Sequence, residues 1–328
     1  MNLELMKKLF CPMCRSDLEW NIEEKNRYQL IKGRARCVKC GAVYPVEDSM
    51  AVFLPPKCQD MRIWERGERV SRARMEQSCP SGQSANMEQD MSSEQILKKI
   101  SQVEDINTEI SVDLYEKYMN TIGMRNTFAI LNELCKQCVE QIEEEGIVLD
   151  FASGKCILAE EIINARKFEL VISDINPIIL NKSKNNLQKK GCLEQVSFIV
   201  CDIKKSPFQD KSIRTITTLL GLQNIIPCKG VLEEIGRIAD KFLCISAFTA
   251  ELIEANLQEL CRYGIEEVWE KEKLEKKISQ LGWYSREVYS VQDIAKAIKT
   301  EDVMTRYAVM KFPVTDTMME YNLTEYIC

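Results

Sequence analysis

Apolar and polar residues alternate in blocks over the second half of the chain, with short runs of consecutive apolar residues separated by stretches at helical spacing. Gly146–Phe151, Leu170–Asp174, Val196–Asp202 and Ile213–Leu220 read as strands buried on both faces. Between them, Ala152-Ser153-Gly154-Lys155 is a small-residue turn leading into a helix over Cys156–Ile163. Asn176 is placed to cap a second helix, with Pro177 at its first position and Lys189, Lys190 and Gly191 at its end. A helix over Val231–Ala239, a strand over Phe242–Phe248, a helix over Lys273–Leu281 and strands near Tyr284–Val291 and Arg306–Phe312 continue the series. Strands and helices in alternation predict an α/β fold, a doubly wound Rossmann-like sheet.

The first 57 residues follow another pattern. Gly41–Val46 and Met50–Pro56 are short apolar runs on either side of Glu47-Asp48-Ser49, which predicts a strand, a polar turn and a strand ending in prolines. Ser78–Ser93 is rich in Ser, Gln and Asn and reads as linker. The expected organisation is a small ribbon over 1–57, a linker and helical connection over 58–112, and the α/β unit over 113–328, with separate cores.

Cysteine spacing adds chemistry. Cys11-Pro-Met-Cys14 and Cys37-Val-Lys-Cys40 are two Cys-x-x-Cys pairs separated by 22 residues, the pattern of a four-cysteine zinc ribbon. Each short turn can aim two thiolates at one tetrahedral ion. The other 11 of the chain's 15 cysteines show no framework spacing, which points to reduced thiols and a cytoplasmic protein. Cys135 and Cys138 lie in a helical pattern over Phe128–Ile142 and read as packing residues. No run approaches the roughly 18 apolar residues of a membrane helix, so no membrane partner is expected. The chain has no histidine, which removes the commonest general base and every Ser-His or Cys-His nucleophile pair.

The charge is unevenly spread: residues 1–100 carry net +3 and the remainder net −9, giving the overall −6. The α/β unit alone is therefore a poor match for a phosphate backbone. A basic stretch over Lys57–Arg74 is the exception, although its acids are also spaced for ion pairs along a helix. In doubly wound sheets ligands bind beyond the carboxyl ends of the strands, near the switch in strand order. Asp150, Asp174 and Asp202, on three consecutive strands, are expected to ring that crevice. A carboxylate after the second strand can accept both ribose hydroxyls of an adenosine ligand.

At these residues the chain resembles class I S-adenosylmethionine-dependent methyltransferases over about 113–312. Val148-Leu-Asp-Phe-Ala-Ser-Gly154 is similar to the family's first motif, Asp174-Ile175-Asn176 to its ribose-binding segment, and Cys201-Asp202-Ile203 to its adenine-side segment. Ser206-Pro-Phe-Gln-Asp210 is similar to the proline-phenylalanine stretch that follows. The resemblance implies S-adenosylmethionine as cofactor, with Asp174 on the ribose, Asp202 and Ile203 at the adenine, and Gly154 with Asp150, Ala152, Ser153 and Ile175 lining the rest. Two departures stand out. Ala152 and Cys156 occupy positions where the family commonly has glycine, and Arg214 stands where it often has an acid. The ribbon resembles that of the methyltransferase-activator family and of certain ribosomal-RNA guanine methyltransferases, which implies a structural zinc.

Methyl transfer from a sulfonium needs chiefly alignment, so the missing histidine is no obstacle. No catalytic residue is assigned. Gln223, Asn224, Tyr115 and Tyr118 are acceptor-side candidates for which packing roles are the stronger expectation. The expected function is methyl transfer to a small molecule, with rRNA or tRNA as a second acceptor class. The alternative is a noncatalytic methyltransferase-like scaffold, and a nicotinamide enzyme is disfavoured because no G-x-G-x-x-G follows the first strand. Oligomeric state leaves no mark in the sequence.

Overall fold

The computed structural model describes residues 1–59, 122–143, 145–165, 169–191, 196–225, 228–251, 253–263, 266–297 and 313–327. The basic stretch beyond 59, the linker, Tyr115, Tyr118 and the strand expected at Arg306–Phe312 lie outside the described residues.

The ribbon contributes β1 (Leu18–Lys25), β2 (Leu30–Cys37), β3 (Val43–Glu47) and β4 (Met50–Phe53), an antiparallel meander. Asp48 and Ser49, the expected polar turn between β3 and β4, both have positive φ (48° and 62°). That geometry matches a tight hairpin to the twist of its strands.

The α/β unit follows with α1 (Ile122–Glu140), β5 (Ile147–Phe151), α2 (Ile157–Ala165), β6 (Glu169–Asp174), α3 (Pro177–Lys189), β7 (Val196–Cys201) and β8 (Thr215–Leu219). After it come α4 (Cys228–Ile238), β9 (Lys241–Thr249), α5 (Glu254–Tyr263), α6 (Glu266–Trp269), α7 (Lys271–Gln280), β10 (Tyr284–Ala295) and β11 (Thr317–Ile327). Strands β5 and β7 are buried at every position, as strands covered on both faces must be. Asn176 caps α3 as expected, its side chain accepting from the Ile178 and Ile179 amides with Pro177 behind it.

The eleven strands of the described residues form one sheet in the order β1-β2-β3-β4-β7-β6-β5-β8-β9-β11-β10. From β4 to β9 neighbouring strands run parallel, from β6 and β7 on one side of β5 to β8 and β9 on the other. The order therefore reverses between β5 and β8, the switch point of a doubly wound fold. Strand β11 is antiparallel to β9 and to β10.

The expectation of separate cores is corrected here. Strand β4 pairs in parallel with β7, Met50 opposite Phe198 through Phe53 opposite Cys201. Buried residues of ribbon and α/β unit form one hydrophobic cluster, with Leu5, Tyr44 and Phe53 in the same group as Phe198 and Phe208. The physical reason is an otherwise open edge at β7, whose amides and carbonyls β4 satisfies.

Candidate functional site

The two cysteine knuckles fold alike. Arg15 N–H donates to Cys11 O at 2.7 Å and Gly41 N–H to Cys37 O at 3.0 Å. Cys11 N–H in turn donates to Ser16 O at 2.9 Å and Cys37 N–H to Ala42 O at 2.8 Å. The residue after each second cysteine is left-handed, Arg15 at φ 55° and Gly41 at φ 71°. These matched turns bring all four sulfurs within 4.8 Å of one another, with Cys11 to Cys40 at 3.6 Å and Cys14 to Cys37 at 3.3 Å. A tetrahedral zinc with bonds of about 2.3 Å needs sulfurs about 3.8 Å apart, so the set fits the ion with little adjustment. Hydrogen bonds from Ser16 and then Cys37 pull the Cys14 thiol down to about 6, whereas Cys40, against a backbone bond from Ala42, is pushed up to about 12 by burial and by the neighbouring sulfurs, so the fit to an ion rests on the sulfur geometry. The Tyr44 hydroxyl lies 3.1 Å from the Cys11 sulfur, an outer contact of the kind that orients a ligand. In the sequence Tyr44 is visible only as an apolar position of a strand.

Across a crevice of about 360 Å3 from the first knuckle lie Lys204, Lys205 and Ser206, just beyond Asp202. The first knuckle of the cysteine set and the segment that follows Asp202 thus face one crevice.

At the carboxyl end of β6, Asp174 is gripped by backbone. Gly154 N–H donates to its Oδ2 at 3.0 Å and Asn176 N–H to its Oδ1 at 2.9 Å. Burial raises the Asp174 carboxyl above the usual range, and the bonds from Asn176, Gly154 and Ile175 oppose that rise. The glycine turn itself is tied down by Ser153, whose hydroxyl donates to Asp150 O at 2.7 Å and whose amide donates to Ser173 O at 3.1 Å. Ser183 on α3 donates to Gly154 O at 2.9 Å.

Ala152, Gly154 and Cys156 all have positive φ, at 49°, 49° and 62°. A Cβ at 152 is tolerable where φ stays negative, but the backbone does not take that course. It keeps the left-handed turns that glycine favours and carries them on an alanine and a cysteine, at a cost of roughly 1–2 kcal/mol each. Cys156 is buried, and burial pushes its thiol well up, so it is a packing thiol and not a nucleophile.

The expected ring of three carboxylates is altered at one member. Strand β5 extends through Phe151, so Asp150 sits inside the strand and not at its mouth. Its carboxylate accepts from Thr217 Oγ1 at 3.0 Å in the seam between β5 and β8 and is 1% exposed. Burial pushes it up to about 7. Asp202, partly exposed, accepts from Lys204 N–H at 3.0 Å and begins a short 3-10 turn, and Ile203 behind it is buried.

The other departure moves away from the site. Arg214 precedes β8, its amide bonded to Ile147 O and its guanidinium paired with Glu143, at the amino ends of the parallel strands. Gln223 is a core residue: its Oε1 accepts from Ala247 N–H at 3.0 Å while its Nε2 donates to the carbonyls of Ala247 and Val268.

Three features fit an adenosine cofactor. Among the described residues a Cβ added at Gly154 would meet nothing within 4 Å, which leaves that face of the turn free for a ligand. Asn176 Nδ2, beside Asp174, is buried and has no partner among the described residues. Ile175 offers an apolar side chain 47% exposed at the crevice mouth.

Residues 94–255 match the family model described as the ubiE/COQ5 methyltransferase family. This match supports a class I methyltransferase. The chain is 30% identical over 118 residues to a ubiquinone/menaquinone biosynthesis C-methyltransferase of Xylella fastidiosa strain M23, covering 34% of this chain and 47% of that protein. It is 29% identical over 143 residues to the protein of the same description from Brucella abortus strain S19, covering 38% and 53%. The chain thus spans about half the length of these relatives. Among solved structures, the YcgJ protein of Bacillus subtilis aligns at TM-score 0.47 and 13% identity, over 60% of this chain and 97% of that one.

Proposed function

We propose that the chain is an S-adenosylmethionine-dependent methyltransferase acting on a small-molecule acceptor. The observation that carries the reading is Asp174, held by the Gly154 and Asn176 amides at the end of the strand beside the switch point. With both oxygens fixed there and lone pairs to spare, the carboxylate can accept the two ribose hydroxyls. In this reading Asp202 and Ile203 face the adenine, Ile175 packs on the nucleoside, and the turn of Ala152, Ser153 and Gly154 lies along the methionine portion. Asp150 acts from beneath, bracing the turn through Ser153 and the β8 strand through Thr217.

When bound, the cofactor supplies an electrophilic methyl group on sulfur. The chain's own residues bind and orient the donor. The match to ubiE/COQ5 proteins and the C-methyltransferase description of the relatives support a small molecule methylated at carbon. The cysteine set is read as one structural zinc.

Calorimetric titration of the purified chain with S-adenosylhomocysteine, and separately with NAD, tests the reading. Micromolar binding of the first and none of the second is expected. Binding of NAD alone, or of neither, would overturn it.

A further inference from the structure

The loop that carries Asp202 is held from two directions by the ribbon. On one side β4 lies along β7, so that Phe53 faces Cys201, the residue before Asp202. On the other, Phe10 N–H donates to Pro207 O at 2.8 Å, Gln209 N–H donates to Lys8 O at 2.9 Å, and Leu9 bridges Phe208. These bonds come one to three residues before the metal ligand Cys11. From within the same knuckle, Arg15 reaches Glu234 at 3.7 Å. Glu234 in turn accepts from the Ser206 amide at 3.1 Å and the Ser206 hydroxyl at 2.8 Å.

A second grip acts from behind the glycine turn. The β3–β4 turn of the ribbon holds Lys184 on α3, whose ammonium donates to Asp48 O at 2.6 Å and pairs with the Asp48 carboxylate. The Lys184 side chain is 3% exposed. Its neighbour Ser183 is the residue that donates to Gly154 O. One contact chain thus runs from the ribbon to the adenine-side loop, and another from the ribbon through α3 to the glycine turn.

We propose that the four-cysteine ribbon is part of the methyl-donor site, setting cofactor affinity through these two contact chains, with Lys184 and Asp48 as positioning residues. The inference rests on the donor-site reading above. Two packed elements that share a strand pair and an ion pair to a buried lysine cannot shift independently, so order in one is order in the other. Linkage then requires the reciprocal effect: bound cofactor must tighten the ribbon's hold on its metal by the same factor.

Calorimetry of S-adenosylhomocysteine binding to the full chain, zinc-loaded and zinc-stripped, tests the proposal alongside the full-chain double variant Lys184→Met with Asp48→Asn. The double variant removes both charges of the pair together, so neither Lys184 nor Asp48 is left without its counter-ion. Zinc removal is expected to weaken binding by about tenfold, within the usual range of coupling between sites, and the double variant by several-fold with zinc retained. Saturating S-adenosylhomocysteine is expected to lower zinc loss to a chelator by a matching factor, a readout that a purely structural ribbon would not move. Affinities equal within about twofold in all three forms, or zinc retention indifferent to the ligand, would overturn the coupling while leaving the donor site standing. If stripping unfolds the chain, as circular dichroism would reveal, the zinc-retaining double variant decides. A zinc-loaded wild type that binds no S-adenosylhomocysteine would remove the donor-site reading and this inference together.

Discussion

Gly154 donates its amide to Asp174 across the gap between β5 and β6, so the glycine turn and the acid of the neighbouring strand form one unit. Asp174→Ala removes the acceptor of two backbone amides as well as the proposed ribose ligand. Loss of S-adenosylhomocysteine binding is expected, with charge-assisted bonds worth about 1.5–3 kcal/mol each. Titration calorimetry reads the loss, and circular dichroism shows whether the sheet survives; unchanged affinity would place the ligand elsewhere.

The left-handed alanine yields a prediction of opposite sign. Ala152→Gly relieves a positive φ without removing a large contact, so it should stabilise the chain by about 1 kcal/mol, a rise in Tm of about 2 °C. Gly154→Ala, at φ 49° with open space around its Cβ, should cost about as much through backbone strain alone. Calorimetric melting of both variants checks the pair, and a lower Tm for Ala152→Gly would count against the strain.

Metal analysis of freshly purified chain should find about one zinc, lost in Cys11→Ser. Because β4 is a strand of the common sheet, the variant should lower the melting temperature of the whole chain in one transition. Two separate transitions, with the α/β unit melting as in wild type, would contradict the shared core.

Asp150 sets a pH dependence. Its folded-state value is raised to about 7 from 3.8, so the folded chain holds a proton that the unfolded chain releases. The associated stability is fully present below about pH 4 and is lost as pH rises through about 7, at up to about 1.4 kcal/mol per pH unit. Asp150→Asn should flatten that fall, measured as Tm against pH. Parallel profiles for the two proteins would show that Asp150 does not titrate in this window.

The parts read well from sequence are those whose physics is local. Strands β5 and β7 announce themselves because a parallel strand covered on both faces must be apolar throughout, and Asn176-Pro177 marks a helix start wherever it lands. The cysteine spacing likewise needs no tertiary context. Strand β11 was hidden because buried Asn322 and Glu325 break its apolar pattern, and only in the fold do Glu287, Lys241 and Arg286 supply their partners. The pairing of residues 50–53 with 198–201 leaves no local trace, since the partners lie far apart in the chain. The φ angles at 152 and 156 are hidden for the opposite reason: alanine and cysteine disguise a turn that glycine would have declared.

The seating of β4 on β7 also bears on solubility. Val196-Ser-Phe-Ile-Val-Cys201 is a short, uncharged, β-branched-rich segment without proline, the composition that builds stacked sheets between molecules when its edge is bare. In the intact chain that edge is occupied by Met50–Phe53, and the boundary passes outward to β1, where Glu19, Glu23, Glu24 and Lys25 are exposed. Charged residues on an outer strand discourage further pairing. The ribbon thus exchanges a sticky border for a repellent one, and an α/β unit expressed without it would meet its own copies strand to strand.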